Sequence, residues 1–396
     1  MSKVFIIGLG YVGLPTAIEA SQSGHTVHGY DTDLTKMNLL ASGLSYIEGI
    51  QDAQIKNLVE SGDLNICFTP QNLKDIDVVL ISVPTPLADT KVPDLTSLLS
   101  AAETAGSFLK PDVLVIVEST VEPGTVRTKV LPILSKISGL SQDRIKLVYS
   151  PERIDPGNSK WNLKNIPKLV AGINQESTIM AIQFYEKFID TLVECSSLEV
   201  AETAKLLENS FRYVNISFIN EVAIYCNKLQ ISVSEVIAKA SSKPYGFMEF
   251  YPSVGVGGHC IPVDPLYLSH SARNVGVPTK MIDSADLVNE EVPNFFVNLA
   301  AEKINGLVGK KILVVGIAYK PNVSDIRESP SLRLIKGLRE KGAEVLWHDD
   351  LAEVWNDEKS INISAKYDLA ILATAHDHVN LQELGTIPFI DTRRFI

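Results

Sequence analysis

The sequence predicts an α/β protein made of two Rossmann-like α/β domains joined by a long central helix and a helical middle domain. Three observations carry this. Short runs of Val, Ile and Leu alternate with amphipathic stretches through the first two hundred residues, as expected when strands covered on both faces are crossed over by helices. A glycine-punctuated segment, Gly8-Leu-Gly10-Tyr-Val-Gly13, sits directly behind the first of these runs. Residues 200–229 then continue for thirty positions with no Gly or Pro, which suits one uninterrupted helix.

Taken in order, strands are expected at 3–8, 26–31, 64–68, 76–83, 113–119, 145–150, 168–172 and 192–195, with helices such as 14–23 and 95–109 between them. Most of the strands lack polar alternation, which predicts a parallel sheet buried on both sides. Residues 1–197 thus read as a dinucleotide-binding domain. In the long helix Ala204, Leu207, Phe211, Val214, Phe218, Val222 and Tyr225 recur three and four apart. At 1.5 Å per residue it is about 45 Å long, enough to span between domains and to offer a dimer surface. Helix follows at 231–241, then a loop rich in Gly and Pro at 243–265, then helices to about 305; residues 198–306 read as a central helical, dimerising domain. Strands within 310–320, 344–350, 365–376 and 387–395, with a helix at 331–341, make 307–396 a second, smaller α/β domain.

Composition narrows the function. The chain is 45% hydrophobic and 21% charged, which excludes disorder and coiled coil as descriptions of the whole. With 36 basic against 47 acidic residues the net charge is −11, so the chain has no electrostatic reason to coat nucleic acid or an anionic membrane. The apolar run at the start is short and ends in glycines, and no apolar stretch of about 18 residues occurs. A soluble, cytoplasmic protein is expected. The four cysteines, Cys67, Cys195, Cys226 and Cys260, form no CxxC pair and no metal-ligand spacing, so neither a disulfide framework nor a metal site is expected. Three of them lie in apolar strand or helix contexts and read as structural.

Several motifs carry chemistry. In the GxGxxG segment Gly8 permits a tight turn, Gly10 lets backbone approach a pyrophosphate, and Gly13 lets helix pack close to strand. The helix start adds N–H groups and partial positive charge. Asp31 closes the second strand, where a carboxylate accepts both ribose hydroxyls and repels a 2′-phosphate; NAD is therefore expected rather than NADP. Val83-Pro-Thr-Pro86 and Glu118-Ser-Thr120 end two further strands, and Thr120 can hydrogen-bond a water or a substrate hydroxyl; plain loop punctuation is the alternative. On the long helix Glu202, Lys205, Glu208, Asn209 and Arg212 form a polar face, with Lys205 and Asn209 one turn apart. Composition alone favours a solvated stripe there. Cys260 lies in Gly255-Val-Gly257-Gly258-His259-Cys260-Ile-Pro-Val-Asp264-Pro265, where three glycines leave a thiol accessible at a turn or helix start and suit a nucleophile. Last, Gly316 to Pro330 is a strand-to-helix turn carrying Lys320 and Arg327, suited to a nucleotide diphosphate. It lacks the second and third glycines of a dinucleotide fingerprint.

In their order, GLGYVG, VPTP, EST, SPE, ETAKLLEN, GGHCIPVDP and AYKPNVSDIRESPS resemble the UDP-glucose/GDP-mannose dehydrogenases, the nucleotide-sugar 6-dehydrogenase family, over essentially the whole chain. The resemblance implies an NAD-dependent, four-electron oxidation of a UDP-sugar C6 alcohol to the uronic acid, through a thiohemiacetal and a thioester on Cys260, in support of polysaccharide biosynthesis. It implies catalytic roles for Cys260, Lys205, Asn209, Asp264, Thr120 and Glu152. It places NAD on Gly8, Gly10, Tyr11, Val12, Gly13, Asp31, Lys36, Thr85, Thr120 and Arg327, across a domain crevice. It places the UDP-sugar on Glu152, Arg153, Lys205, Asn209, Phe250, Tyr251, Pro252, Ser253, Gly257, His259 and Lys320, with UDP bound in the C-terminal domain and a homodimer formed through the long helix.

Two departures bear on the sugar. Where the glucose branch carries a Lys before the Asp of the cysteine loop, this chain has Val263, with His259 ahead of the thiol. Ser150-Pro-Glu152-Arg153-Ile-Asp155-Pro-Gly157 replaces the glucose-branch continuation Phe-Leu-Arg-Glu. Both resemble the UDP-N-acetylhexosamine branch, with UDP-N-acetylglucosamine first, UDP-N-acetylmannosamine second and UDP-glucose third. Arg153 and His259 are candidates for the acetamido group, with packing or surface roles as the alternative. A two-electron β-hydroxyacid dehydrogenase would need neither Cys260 nor Lys320. A non-catalytic NAD or nucleotide-sugar sensor would be expected to lack some of Thr120, Lys205, Asn209, Cys260 and Asp264, and all five are present.

Overall fold

The structure, a computed structural model, describes every residue except 48, 71, 72, 156, 157, 159 and 396. The chain forms two compact units, Met1–Leu207 and Glu208–Ile396.

In the first unit β1 (Lys3–Ile7), α1 (Gly13–Gln22), β2 (Thr26–Tyr30), α2 (Leu34–Ala41), α3 (Asp52–Ser61), β3 (Leu64–Ile66), β4 (Val78–Ile81), α4 (Thr96–Gly106), β5 (Leu114–Val117), α5 (Leu131–Ser138), β6 (Lys146–Tyr149), β7 (Lys168–Gly172), α6 (Gln175–Tyr185) and β8 (Leu192–Glu194) follow in order. They build one sheet of order β3-β2-β1-β4-β5-β6-β7-β8. Val4, Ile6, Leu80, Ile116 and Val148 pack on one face with Leu14, Ile18, Ile55, Phe184 and Phe188 from the helices. Phe5, Ile7, Val79 and Val115 are buried on the other. Burial on both faces is why these strands read as unbroken apolar runs, and each such side chain contributes roughly 1.5–3 kcal/mol.

One expectation is corrected. β7 runs antiparallel to β6, with Tyr149 opposite Ala171, in a sheet otherwise paired in parallel. The physical reason is the connection: among the described residues of 150–167 there is no helix, and without a crossover a strand can only return antiparallel. The return brings Lys168, the first residue of β7, to the carboxyl end of β6. Pro156 and Gly157, part of the SPE segment, lie outside the described residues.

Helix α7 (Leu198–Lys228) begins in the first unit and continues into the second, with Glu199 in its first turn and Lys228 in its last, as the helix dipole favours. The second unit continues with α8 (Val233–Ala240), α9 (Asp264–Asn274), α10 (Lys280–Lys303), β9 (Lys311–Val315), α11 (Pro330–Glu340), β10 (Glu344–His348), the hairpin β11 (Val354–Trp355) and β12 (Glu358–Lys359), β13 (Leu369–Leu372) and β14 (Phe389–Asp391). Its parallel sheet has the order β10-β9-β13-β14. Val292, Phe296 and Val297 of α10 share one core with Ile312, Val314, Leu334, Trp347 and Ile371.

The two units repeat one local device, as the alike ends of the sequence suggest. The order β10-β9-β13 matches β2-β1-β4. In the first unit the N–H of Gly8 donates to the Tyr30 carbonyl at 2.8 Å, and in the second Gly316 donates to His348 at 2.8 Å. Among the described residues no helix is long and apolar enough to cross a membrane.

Candidate active site

The first glycine turn has the form a dinucleotide needs. Gly8 takes φ +94°, and a Cβ there would stand 2.3 Å from the Ser82 carbonyl oxygen; a Cβ on Gly13 would stand 1.9 Å from the oxygen of Gly8. Both positions therefore exclude side chains. A Cβ on Gly10, by contrast, would meet nothing within 4 Å, so the turn is open where backbone would meet a pyrophosphate. Tyr11 and Val12 are half-buried beside it, and α1 starts with no acidic residue in its first turn. Half-buried Asp31 accepts the N–H of Leu9 on one oxygen and that of Asp33 on the other, both at 2.9 Å. It is thereby oriented at the end of β2. Lys36 lies 3.9 Å from Asp33 and 5.9 Å from the centre of the Tyr46 ring. These residues fit NAD.

The matching turn of the second unit does not repeat the site. Asp349 accepts from Ile317 as Asp31 does from Leu9, but it is 1% exposed and is closed off by His376 at 3.1 Å. Burial alone would raise its carboxyl. The His376 hydrogen bond and the amides of Ala352 and Ala318 outweigh that and hold it well below the usual range. The residue is structural here, and the difference from Asp31 is one of access.

At the carboxyl edge of the first sheet the hydroxyl of Thr85 donates to the carbonyl of half-buried Thr120 at 2.8 Å. Beside them Glu152 is buried, and its carboxylate accepts the amides of Arg153 and Ile154 at 2.6 and 2.7 Å and the Lys168 ammonium at 3.0 Å. The Arg153 guanidinium donates to the carbonyl of Pro167 at 2.6 Å. Glu118 and Lys168, which sequence reasoning did not single out as functional, are buried in the same cluster.

The polar face of α7 is not a solvated stripe. Glu202, Lys205 and Asn209 are 0%, 8% and 7% exposed, while Arg212 on the same helix is exposed. Glu202 accepts the amides of Gly124 and Val126 at 2.5 and 3.0 Å, capping the turn that follows Glu118-Ser-Thr120. Burial pushes its carboxyl up to about 7, against the pull of those two amides. Charge spacing alone misjudged this face because the helix is covered by a loop whose free N–H groups need an acceptor. Among the described residues the Lys205 ammonium meets no hydrogen-bond acceptor and no carboxylate.

In the second unit Cys260 is exposed, Cys226 is buried, and Cys67 and Cys195 are half-buried rather than core residues; none is in a disulfide. Burial raises the thiols of Cys67 and Cys195. The Cys260 carbonyl accepts the amide of Asp264 at 2.8 Å, so the thiol stands one turn ahead of α9. Several contacts hold the loop. Asn209 donates to the buried Asp264 carboxylate at 2.6 Å. Asn289 of α10 accepts the amide of Val256 at 2.6 Å. Gly257 and Gly258 lie against Tyr319, where a Cβ on either would come within 3.0 Å of that side chain.

Asp325 ties the thiol's neighbour to the C-terminal turn: His259 is 3.4 Å away and Arg327 donates to it at 2.6–3.1 Å. Burial works against that charge, but His259 and Arg327 prevail and hold the Asp325 carboxyl well below its usual range. Of the other predicted contacts, Lys320 is half-buried on the same turn, Pro252 is buried and Tyr251 is exposed. Phe250 stacks edge-on against Phe211 at 5.7 Å, and the Ser253 amide donates to Asn220 at 2.9 Å.

Comparison with known proteins gives the family of the chain. Descriptions of the UDP-glucose/GDP-mannose dehydrogenase family match along the chain: its NAD binding domain over 2–189, its central domain over 199–291 and its UDP binding domain over 313–396. The chain belongs to the UDP-glucose/GDP-mannose dehydrogenase family. It is an NAD-dependent oxidoreductase of the nucleotide-sugar dehydrogenase class. A UDP-N-acetyl-D-glucosamine 6-dehydrogenase of Pseudomonas aeruginosa is 34% identical over 97% of this chain and 94% of its own length. A solved UDP-D-ManNAc dehydrogenase from Pyrococcus horikoshii superposes with a TM-score of 0.91 at 32% identity, covering 100% of this chain and 96% of that one. A UDP-glucose dehydrogenase from Pyrobaculum islandicum superposes with a TM-score of 0.92 at 26% identity, covering 100% and 95%. The relatives this chain resembles in sequence or in fold thus act on three different sugars by their names.

Proposed function

We propose that this family member oxidises the C6 alcohol of a UDP-N-acetylhexosamine, UDP-N-acetyl-D-glucosamine first, to the uronic acid with Cys260 as covalent carrier. The observation that carries the reading is the exposed thiol of Cys260 on a loop braced by Asn209–Asp264, Asn289 and Tyr319. Bound NAD⁺ supplies the hydride acceptor at each of two oxidations. The chain's own residues do the rest. A water held by Thr120 and Asp264 takes the alcohol proton. The Cys260 thiolate adds to the aldehyde carbon, and Lys205 and Asn209 donate to the oxygen that gains charge. Loss of the second hydride leaves a thioester. Glu152 and Asp264 then act as bases on the attacking water, the C–S bond breaks, and the carboxylate leaves as the thiolate is restored.

In this reading the cofactor is held by the turn from Gly8 to Gly13 with Asp31, Lys36, Thr85 and Arg327. Phe250, Tyr251, Pro252, Ser253, Gly257 and Lys320 hold the UDP-sugar, and Arg153 and His259 recognise the acetamido group. The sugar assignment is supported by His259 ahead of the thiol, by Arg153 after Ser150-Pro-Glu152, and by the 34%-identical glucosamine relative. The superposition on the Pyrococcus horikoshii enzyme favours UDP-N-acetyl-D-mannosamine as the second reading.

One panel of rates tests both ligands. UDP-N-acetylglucosamine should exceed UDP-glucose in kcat/KM by at least about tenfold, since a site built to bond an acetamido group rejects a sugar lacking it; UDP-N-acetylmannosamine carries the same group with the opposite configuration at C2 and should fall between the two. NADP⁺ should fall about 100-fold below NAD⁺, because its 2′-phosphate meets Asp31. UDP-glucose as the best substrate would reject the hexosamine assignment, and equal rates with the two cofactors would reject the role of Asp31.

The working form in this reading is a homodimer through α7. Phe211, Phe218 and Tyr225 lie along the helix and are 47%, 60% and 63% exposed, and the first two line a groove with Phe247 and Met248. An apolar stripe of this kind marks an interface. Sedimentation should return twice the chain mass for the wild type and a shift toward monomer for Phe218→Asp; a monomeric wild type would contradict the dimer.

A further inference from the structure

Where the first sheet changes direction, β7 meets β6 antiparallel, and a buried ion cluster sits at the junction. The Lys168 ammonium, on a side chain 3% exposed, lies 2.9 Å from Glu118 Oε1 and 3.0 Å from Glu152 Oε2. Tyr185 of α6 donates to the same Glu118 oxygen at 2.6 Å, and its ring centre is 5.2 Å from the ammonium. Among the described residues the other Glu118 oxygen is buried without a hydrogen-bond partner. Two carboxylates thus share one cation in a space where a surplus charge costs several kcal/mol. The donors divide the roles. Three N–H groups converge on Glu152, which suits a carboxylate; Glu118 has donors on one oxygen only and is the place for a proton. Burial also outweighs Lys168 in pushing the Glu118 carboxyl up. Burial works against the Lys168 ammonium too, but the two carboxylates together hold it above its ordinary value. Replacing a buried ion pair by an apolar core of equal volume is often neutral or stabilising. Stability alone is therefore a weak reason for the cluster.

We propose that Lys168 is a positioning residue: it acts through Glu152, holding that carboxylate ionised and in place at the ends of β5 and β6, while Glu118 keeps the cluster's one proton. The inference rests on the reading of Glu152 as a base acting in the reaction above. Among the described residues the charged and titratable groups near Glu152 include Lys168 from β7, Glu118 behind β5, Tyr185 from α6 and Arg153 on its own segment. The last is turned to the Pro167 carbonyl.

The test compares wild type with Lys168→Met and with Lys168→Met/Glu118→Gln. The double variant also replaces Glu118 by its neutral isostere, so that no two carboxyl groups are left facing each other without a cation should the single variant not fold. Carboxyl carbon shifts in glutamate-labelled protein, with the Glu152 signal assigned by its loss in Glu152→Gln, report its ionisation directly. Its midpoint should rise by about one to three pH units in both variants, and the acid limb of kcat should move the same way while KM for NAD⁺ stays within about twofold. A Glu152 midpoint that stays in place, whatever happens to Tm, would overturn the proposal and leave Lys168 a structural cation. A wild type that oxidises no UDP-sugar would instead remove the proposed function, and the carboxyl titration would still decide the role of Lys168.

Discussion

Cys260→Ser should bind NAD⁺ as the wild type does and yet lose uronate formation by roughly 10³-fold or more. A serine hydroxyl at neutral pH is a far weaker nucleophile than a thiolate, so the aldehyde is not trapped and the second oxidation has no bound substrate. Folding should be unaffected, because the side chain is exposed and the loop is held by contacts of Asp264, Val256 and Tyr319 that the substitution leaves in place. Quench-flow counting of NADH per sugar, with Tm alongside, reads both effects. Full turnover in the serine variant would remove the covalent step from the mechanism.

Lys205→Met should lower kcat by about 10²–10³-fold with little change in KM, the signature of a donor whose hydrogen bond strengthens only as charge develops. Stability should behave unusually for a buried lysine. The side chain is 8% exposed, and among the described residues its ammonium has no carboxylate or other acceptor to leave behind. Removing an uncompensated buried charge relieves a desolvation cost instead of orphaning a partner. The melting temperature should therefore hold or rise while the rate collapses. A fall in Tm parallel to the fall in rate would make Lys205 a structural residue.

How much of this is legible in the sequence differs from residue to residue. The strand and helix rhythm predicts the sheet because both of its faces are buried, and the glycine turn with Asp31 predicts the dinucleotide cradle because each residue type there answers a local steric or hydrogen-bonding demand. Cys260 stands out for the same reason, since glycines around a thiol bear on its access. The face of α7 is not legible locally. Glu202, Lys205, Glu208 and Arg212 carry the spacing of a solvated stripe, yet Glu202 and Lys205 are buried while Arg212 is exposed, and the amides of Gly124 and Val126 that cover Glu202 come from a turn distant in the chain. Lys168 is hidden more deeply, since its place beside Glu152 depends on β7 running antiparallel, a property of the connection and not of the strand. Asp349 shows the converse. It occupies the same local position as Asp31, and only His376, 27 residues further along the chain, closes it.

The central claim concerns one sulfur atom and is open to one direct measurement. Acid quenching during steady-state oxidation, followed by proteolysis and mass spectrometry, should find the Cys260 peptide carrying the nucleotide uronoyl group in thioester linkage, with Cys67, Cys195 and Cys226 unmodified. Two NADH released per sugar with the Cys260 peptide unmodified at every time point would contradict the account.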